Sequence, residues 1–136
     1  MSDPPTRRAR CACGDLWIEV EGEPSLNAVC FCDNCKQRTG SAFGWSCYFR
    51  DDQVKGRGGA ASAYRIEKPE FQAERRFCRR CGSTLTWTVS IYPGVTGVAG
   101  GCFAPGEIGG PTGAASNHGR FDWLALPEHW AVIGSD

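Results

Sequence analysis

Apolar and polar residues alternate with a period of two through three windows of the chain. Leu16, Ile18 and Val20 alternate with Trp17 and Glu19. Phe43, Trp45, Cys47 and Phe49 alternate with Gly44, Ser46 and Tyr48, and Leu85, Trp87 and Val89 with Thr84, Thr86 and Thr88. Successive side chains of a strand point to opposite faces, so each window predicts a half-buried strand of about five to seven residues. Weaker windows at 63–67, 71–77 and 95–103 predict further strands. A helical period is missing, although residues 32–39 fit one or two turns. Arg57-Gly58-Gly59 and Pro93-Gly94 mark turns. Residues 100–119 are rich in glycine and aperiodic; they read as a surface loop, with a functional lid as the alternative. Beyond them Phe121, Trp123, Leu124, Leu126 and Trp130 form a last apolar group expected to dock on the sheet. The pattern predicts a mainly β fold, one domain over residues 1–136 with a core at about 9–130.

Composition supports that picture and narrows the function. The 136 residues include 18 glycines and 8 prolines, which favour turns and short strands over helices. Fifteen basic residues balance fifteen acidic ones, giving a net charge of zero, so overall charge argues against a nucleic-acid partner. Residues 1–10 are polar and basic, with no signal-type apolar run, and no stretch is long enough to span a bilayer. The expectation is a cytoplasmic protein with no membrane partner, in which disulfides are disfavoured. Arg7, Arg8 and Arg10 read as a solvated tail.

Against that background the cysteines stand out. Seven of nine fall in three clusters: Cys11-Ala-Cys13-Gly14, Cys30-Phe-Cys32-Asp-Asn-Cys35 and Cys78-Arg-Arg-Cys81-Gly82. Such spacing gathers sulfurs on one backbone turn, as a tetrahedral zinc ion requires. Two clusters end in glycine, which supplies the positive φ that a tight metal knuckle needs. That shared feature favours one structural zinc on Cys11, Cys13, Cys78 and Cys81. It leaves a second, catalytic zinc on Cys30, Cys32 and Cys35 with an open coordination position. Spacing alone leaves open a pairing of Cys11 and Cys13 with Cys30 and Cys32, and closure of the second site by Cys47, Cys102, His118 or His129. Arg75, Arg76, Arg79 and Arg80 flank the last cluster and read as compensation for thiolate charge, or as ordinary surface charge. A redox role for the C-x-x-C pairs is a further alternative, set in a chain that lacks the usual βαβ context.

The string Cys11-x-Cys13-Gly14, then Cys30-x-Cys32-x-x-Cys35-x-x-x-Thr39-Gly40-Ser41-Ala42-Phe43, then Arg76-Phe77-Cys78-x-x-Cys81-Gly82-Ser83-x-Leu85 resembles the glutathione-dependent formaldehyde-activating enzyme family, whose domain is shared with centromere protein V. The match runs over roughly residues 9–104. The resemblance implies a small zinc-stapled β-tent type fold of short antiparallel sheets. It also implies the division of zinc ligands given above, and a carbon–sulfur lyase type activity joining glutathione, or another small thiol, to formaldehyde or another small aldehyde. Lys36, Arg38 and Arg50 are candidates for glutathione's carboxylates, and Thr39 and Ser41 for hydrogen bonds to the developing alkoxide. One departure is plain. The family's Gly-x-Leu-Asp-Asp string is replaced by Gly100-Gly101-Cys102-Phe103-Ala104-Pro105. The competing expectation is a non-catalytic zinc-binding module that recognises a protein or nucleic-acid partner.

Overall fold

The computed structural model describes residues 3–133. Eleven strands are described: β1 (Thr6–Arg10), β2 (Trp17–Glu21), β3 (Leu26–Cys30), β4 (Gly44–Arg50), β5 (Val54–Gly58), β6 (Ala61–Lys68), β7 (Phe71–Cys78), β8 (Thr84–Val89), β9 (Val95–Ala99), β10 (Gly113–Ala115) and β11 (Ala131–Ile133). The one α-helix among the described residues is α1 (Asp33–Thr39). The strands form a three-stranded sheet in the order β1-β2-β5 and an eight-stranded sheet in the order β11-β10-β3-β4-β9-β8-β7-β6. The mainly β architecture expected from the period-two windows is the observed one.

The two sheets share one core. Ala9 of β1 and Ile18 and Val20 of β2 pack against Cys47 and Phe49 of β4, Leu85 of β8 and Val98 of β9. Ile18, Val20, Phe49 and Val98 have no exposed surface, and each such side chain contributes about 1.5–3 kcal/mol on leaving water. β4 uses both of its faces. Cys47 and Phe49 enter the core, whereas Ser46 and Tyr48 look into a cleft on the other side. A smaller cluster of Val29, Phe31 and Ala114 collects Phe43, Leu124, Leu126 and Trp130, so three of the five residues of the final apolar group dock, while Phe121 and Trp123 stack on each other at the surface.

Three expectations are corrected. Arg7, Arg8 and Arg10 are not a tail but part of β1, antiparallel to β2, with Arg8 paired to Glu19 at 3.1 Å and stacked 3.8 Å from the Trp17 ring. Ala9, fully buried, anchors that strand, and one inward alanine among arginines leaves no hydrophobic pattern to read. The strand predicted over 95–103 stops at Ala99, where Gly100–Cys102 turns as a short 3-10 helix. Residues 100–119 are not a free loop. Phe103 and Ile108 are buried in the core. β10 lies between β3 and β11, parallel to both, with Ala114 opposite Val29 and Ala115 opposite Cys30. Small residues let β10 lie flat there, but three residues are too short to show a period.

Candidate functional site

The outer cysteine clusters form two matching turns. In the first, Gly14 N donates to Cys11 O at 3.0 Å; in the second, Gly82 N donates to Cys78 O at 2.9 Å. The two glycines have φ of 84° and 79°, a conformation that side chains with a Cβ resist. The turn geometry aims backbone N–H groups at sulfur: Leu16 N lies 3.2 Å from Cys11 Sγ and Arg80 N 3.3 Å from Cys78 Sγ. Ala12 N, donating to Ser83 Oγ at 3.2 Å, ties one turn to the other.

The sulfurs of Cys11, Cys13, Cys78 and Cys81 all lie within 4.8 Å of one another. Cys13 Sγ is 3.6 Å from both Cys11 Sγ and Cys78 Sγ. Four sulfurs about 2.3 Å from a central ion would be about 3.8 Å apart, so the donor set fits a tetrahedral metal. All nine cysteines are free thiols, none in a disulfide. The group can therefore hold a metal ion compatible with zinc, and it joins β1 and β2 to the β7–β8 turn.

The middle cluster is built differently. Cys30 ends β3, Cys32 caps the N-terminus of α1, and Cys35 sits in its first turn. Cys32 Sγ accepts the Cys35 N–H at 3.4 Å, and Gly40, at φ 64°, closes the helix with its N–H on Lys36 O. The sulfurs of Cys30, Cys32 and Cys35 lie within 4.8 Å of one another. Among the described residues no fourth His, Cys, Asp or Glu joins them. The three thiols lie close enough to shift one another's titration in opposite directions. Hydrogen bonds with the Cys30 and Cys35 thiols pull Cys32 well below the ordinary thiol range, while Cys30 and Cys32, with burial, push Cys35 up. Three sulfur donors converging within 4.8 Å of one another fit a soft metal cation.

These sulfurs lie in a cleft of about 110 Å³, between α1, β3, β8 and the turn that follows β8. Arg38 reaches in from α1 and stacks its guanidinium 3.7 Å from the Trp87 ring centre. Its Nη2 is buried without a hydrogen-bond partner, packed against Gly44 where any Cβ would overlap it. Trp87 Nε1 donates to Tyr48 Oη at 3.2 Å, and Tyr92 meets the Tyr48 ring edge-on at 5.4 Å. Burial, ahead of the other causes, pushes the Tyr48 hydroxyl up to about 12.

The structure thus brings Cys30, Cys32, Cys35 and Arg38 together, and sets the other polar candidates elsewhere. Lys36 Nζ donates to Gly119 O at 2.9 Å and lies 4.6 Å from the Phe121 ring centre, pinning the C-terminal segment. Thr39 Oγ1 bonds to Cys35 O at 3.0 Å and Phe43 O at 3.2 Å and accepts the Ser41 N–H, so both residues shape the helix end. Arg50 pairs with Asp52 on the surface. Arg75 turns away from its own knuckle to donate to Asn34 of α1 at 2.8 Å. Tyr48 and Trp87 are the cleft residues that sequence reasoning missed. Both were assigned to strands, but alternation does not say which face of a two-sided strand meets a site.

No curated protein matches the chain. Among solved structures, a crystal structure of a Rhodobacter sphaeroides protein from a structural-genomics programme is similar. It is 24% identical, covers 74% of this chain and 96% of that one, and has a TM-score of 0.58, a likeness of fold. The family model described as glutathione-dependent formaldehyde-activating enzyme matches residues 6–115, from the start of β1 to the end of β10, with both cysteine groups inside it. The chain belongs to the glutathione-dependent formaldehyde-activating enzyme family.

Proposed function

We propose that the protein is a zinc-dependent carbon–sulfur lyase type enzyme acting on the adduct of a small thiol, glutathione in the first instance, with a small aldehyde. The observation that carries this reading is the three-sulfur group in the cleft, with no fourth His, Cys, Asp or Glu beside it among the described residues. Cys30, Cys32 and Cys35 would hold a catalytic zinc, and Cys11, Cys13, Cys78 and Cys81 a structural one. Zinc at such an incomplete thiolate site supplies a docking position that keeps an incoming thiol deprotonated.

The chain's own residues do the rest. The cleft walls hold thiol and aldehyde side by side, which replaces an improbable encounter with a positioned one. Arg38 presents a guanidinium for a substrate carboxylate or for charge gathering on oxygen, held rigidly by its stack on Trp87. Tyr48 already accepts the Trp87 N–H, so its own proton is directed to a partner in the cleft, where it stabilises the developing alkoxide.

The test is metal analysis of protein purified without chelator, combined with a glutathione titration followed by zinc-edge absorption. The expected result is two zinc ions per chain, with one sulfur added to the shell of one of them as glutathione binds. An unchanged zinc environment at saturating glutathione would refute the reading.

A further inference from the structure

The walls of the cleft do not suit formaldehyde. Leu26, Ala28, Phe71, Val89, Ile91 and Tyr92 line it together with the Trp87 indole. Arg38 is the one charged residue in the lining among the described residues. Ile91 is 61% exposed and Tyr92 37% exposed, so the apolar wall continues to the rim and faces water. Formaldehyde brings one carbon, which would sit at the sulfurs and leave that wall untouched. Glutathione brings two carboxylates and an ammonium, for which the lining offers one charged side chain, Arg38, beside the uncharged Asn34, Ser46, Tyr48 and Ser116.

Resting on the thiol-adduct reading of the site, we infer that the aldehyde component of the substrate carries an apolar chain or ring, which lies along this wall out to Ile91 and Tyr92. The bound species is then a thiohemiacetal of an apolar aldehyde. A sulfur lone pair forms the carbon–sulfur bond and the carbonyl π pair moves to oxygen. That oxygen takes up one proton, equal to the one the thiol gave up, so no oxidant or reductant enters. The reverse step returns thiol and aldehyde. Arg38 and Tyr48 share the cleft with the sulfurs, Arg38 stacked on Trp87 and Tyr48 edge-on to Tyr92, so the apolar body passes beside them on its way to the rim. Formaldehyde would be turned over as a poor relative of the true substrate.

Stable thioether conjugates separate binding from chemistry. Calorimetric titration of the zinc-loaded protein would compare glutathione, S-methylglutathione and S-hexylglutathione, the last two differing by five methylenes. A methylene fully withdrawn from water is worth roughly a fourfold change in affinity, so S-hexylglutathione should bind at least about tenfold more tightly than S-methylglutathione. In Ile91→Asp, a surface substitution that folding should tolerate, that ratio should fall below about threefold. Equal affinity for the two conjugates, with glutathione still binding, overturns the inference and leaves the thiol-adduct reading standing. A hexyl preference undiminished in Ile91→Asp overturns it too, since the chain then lies elsewhere. Failure of all three to bind removes both readings together.

Discussion

At the scale of single residues, the two cysteine groups make opposite demands on substitution. Cys32→Ser removes one of three sulfurs but keeps a helix cap, since a serine hydroxyl accepts the same Cys35 N–H, and it touches no buried core. We expect zinc content to fall from two ions to one, activity to vanish, and far-ultraviolet circular dichroism to stay unchanged. Cys78→Ser removes a fully buried sulfur of the four-cysteine group, and should lower the thermal midpoint sharply as well as the metal count. Gly97 is the hidden determinant of the cleft, because a Cβ there would overlap the Trp87 indole on which Arg38 stacks. Gly97→Ala should cost about 1–3 kcal/mol in urea denaturation and impair catalysis without any contact to substrate. Cys47 gives a pH signature. Burial pushes its thiol up to about 12, so the fold favours the neutral form; stability is full below pH 9 and drains away as pH rises toward 12. Cys47→Ala, though less stable at neutral pH, should lose less across that alkaline range when thermal midpoints are measured.

Elements were legible from the sequence where a pattern had room to repeat. β2, β4 and β8 carry five to seven residues of alternation, and the three knuckles announce themselves by spacing. β1 and β10 were not legible, because strands held by one or two small inward residues, Ala9 and Ala114, have no hydrophobic rhythm. Helix α1 was visible only as a possibility, since seven residues are stabilised by a cysteine cap and a glycine stop rather than by an apolar face. The division of the site was legible in its sulfurs and opaque in its walls: Arg38 enters the cleft, whereas Lys36, two residues earlier on the same helix, reaches the C-terminal segment. That contact predicts an effect of its own. Lys36→Met keeps the side-chain length but loses the donor to Gly119, and should accelerate amide hydrogen exchange in residues 116–124 while zinc content stays unchanged.

For the molecule as a whole, the four-cysteine group clasps segments 65 residues apart in sequence, Cys13 and Cys78. A metal there stabilises the folded chain by its binding free energy, because the scattered thiols bind weakly once unfolded. A strong chelator should therefore lower the thermal midpoint in proportion to the zinc removed, and zinc alone should restore it. β10 sets another condition on the whole. It pairs with β3 at the residue that carries the first sulfur of the cleft, Ala115 beside Cys30, and Phe31 N donates to Ala115 O at 3.1 Å. On a ribosome, the knuckles and the first nine strands emerge well before that clamp does. The nascent protein should thus close its four-cysteine clasp before β10 arrives to complete the strand pairing beside Cys30.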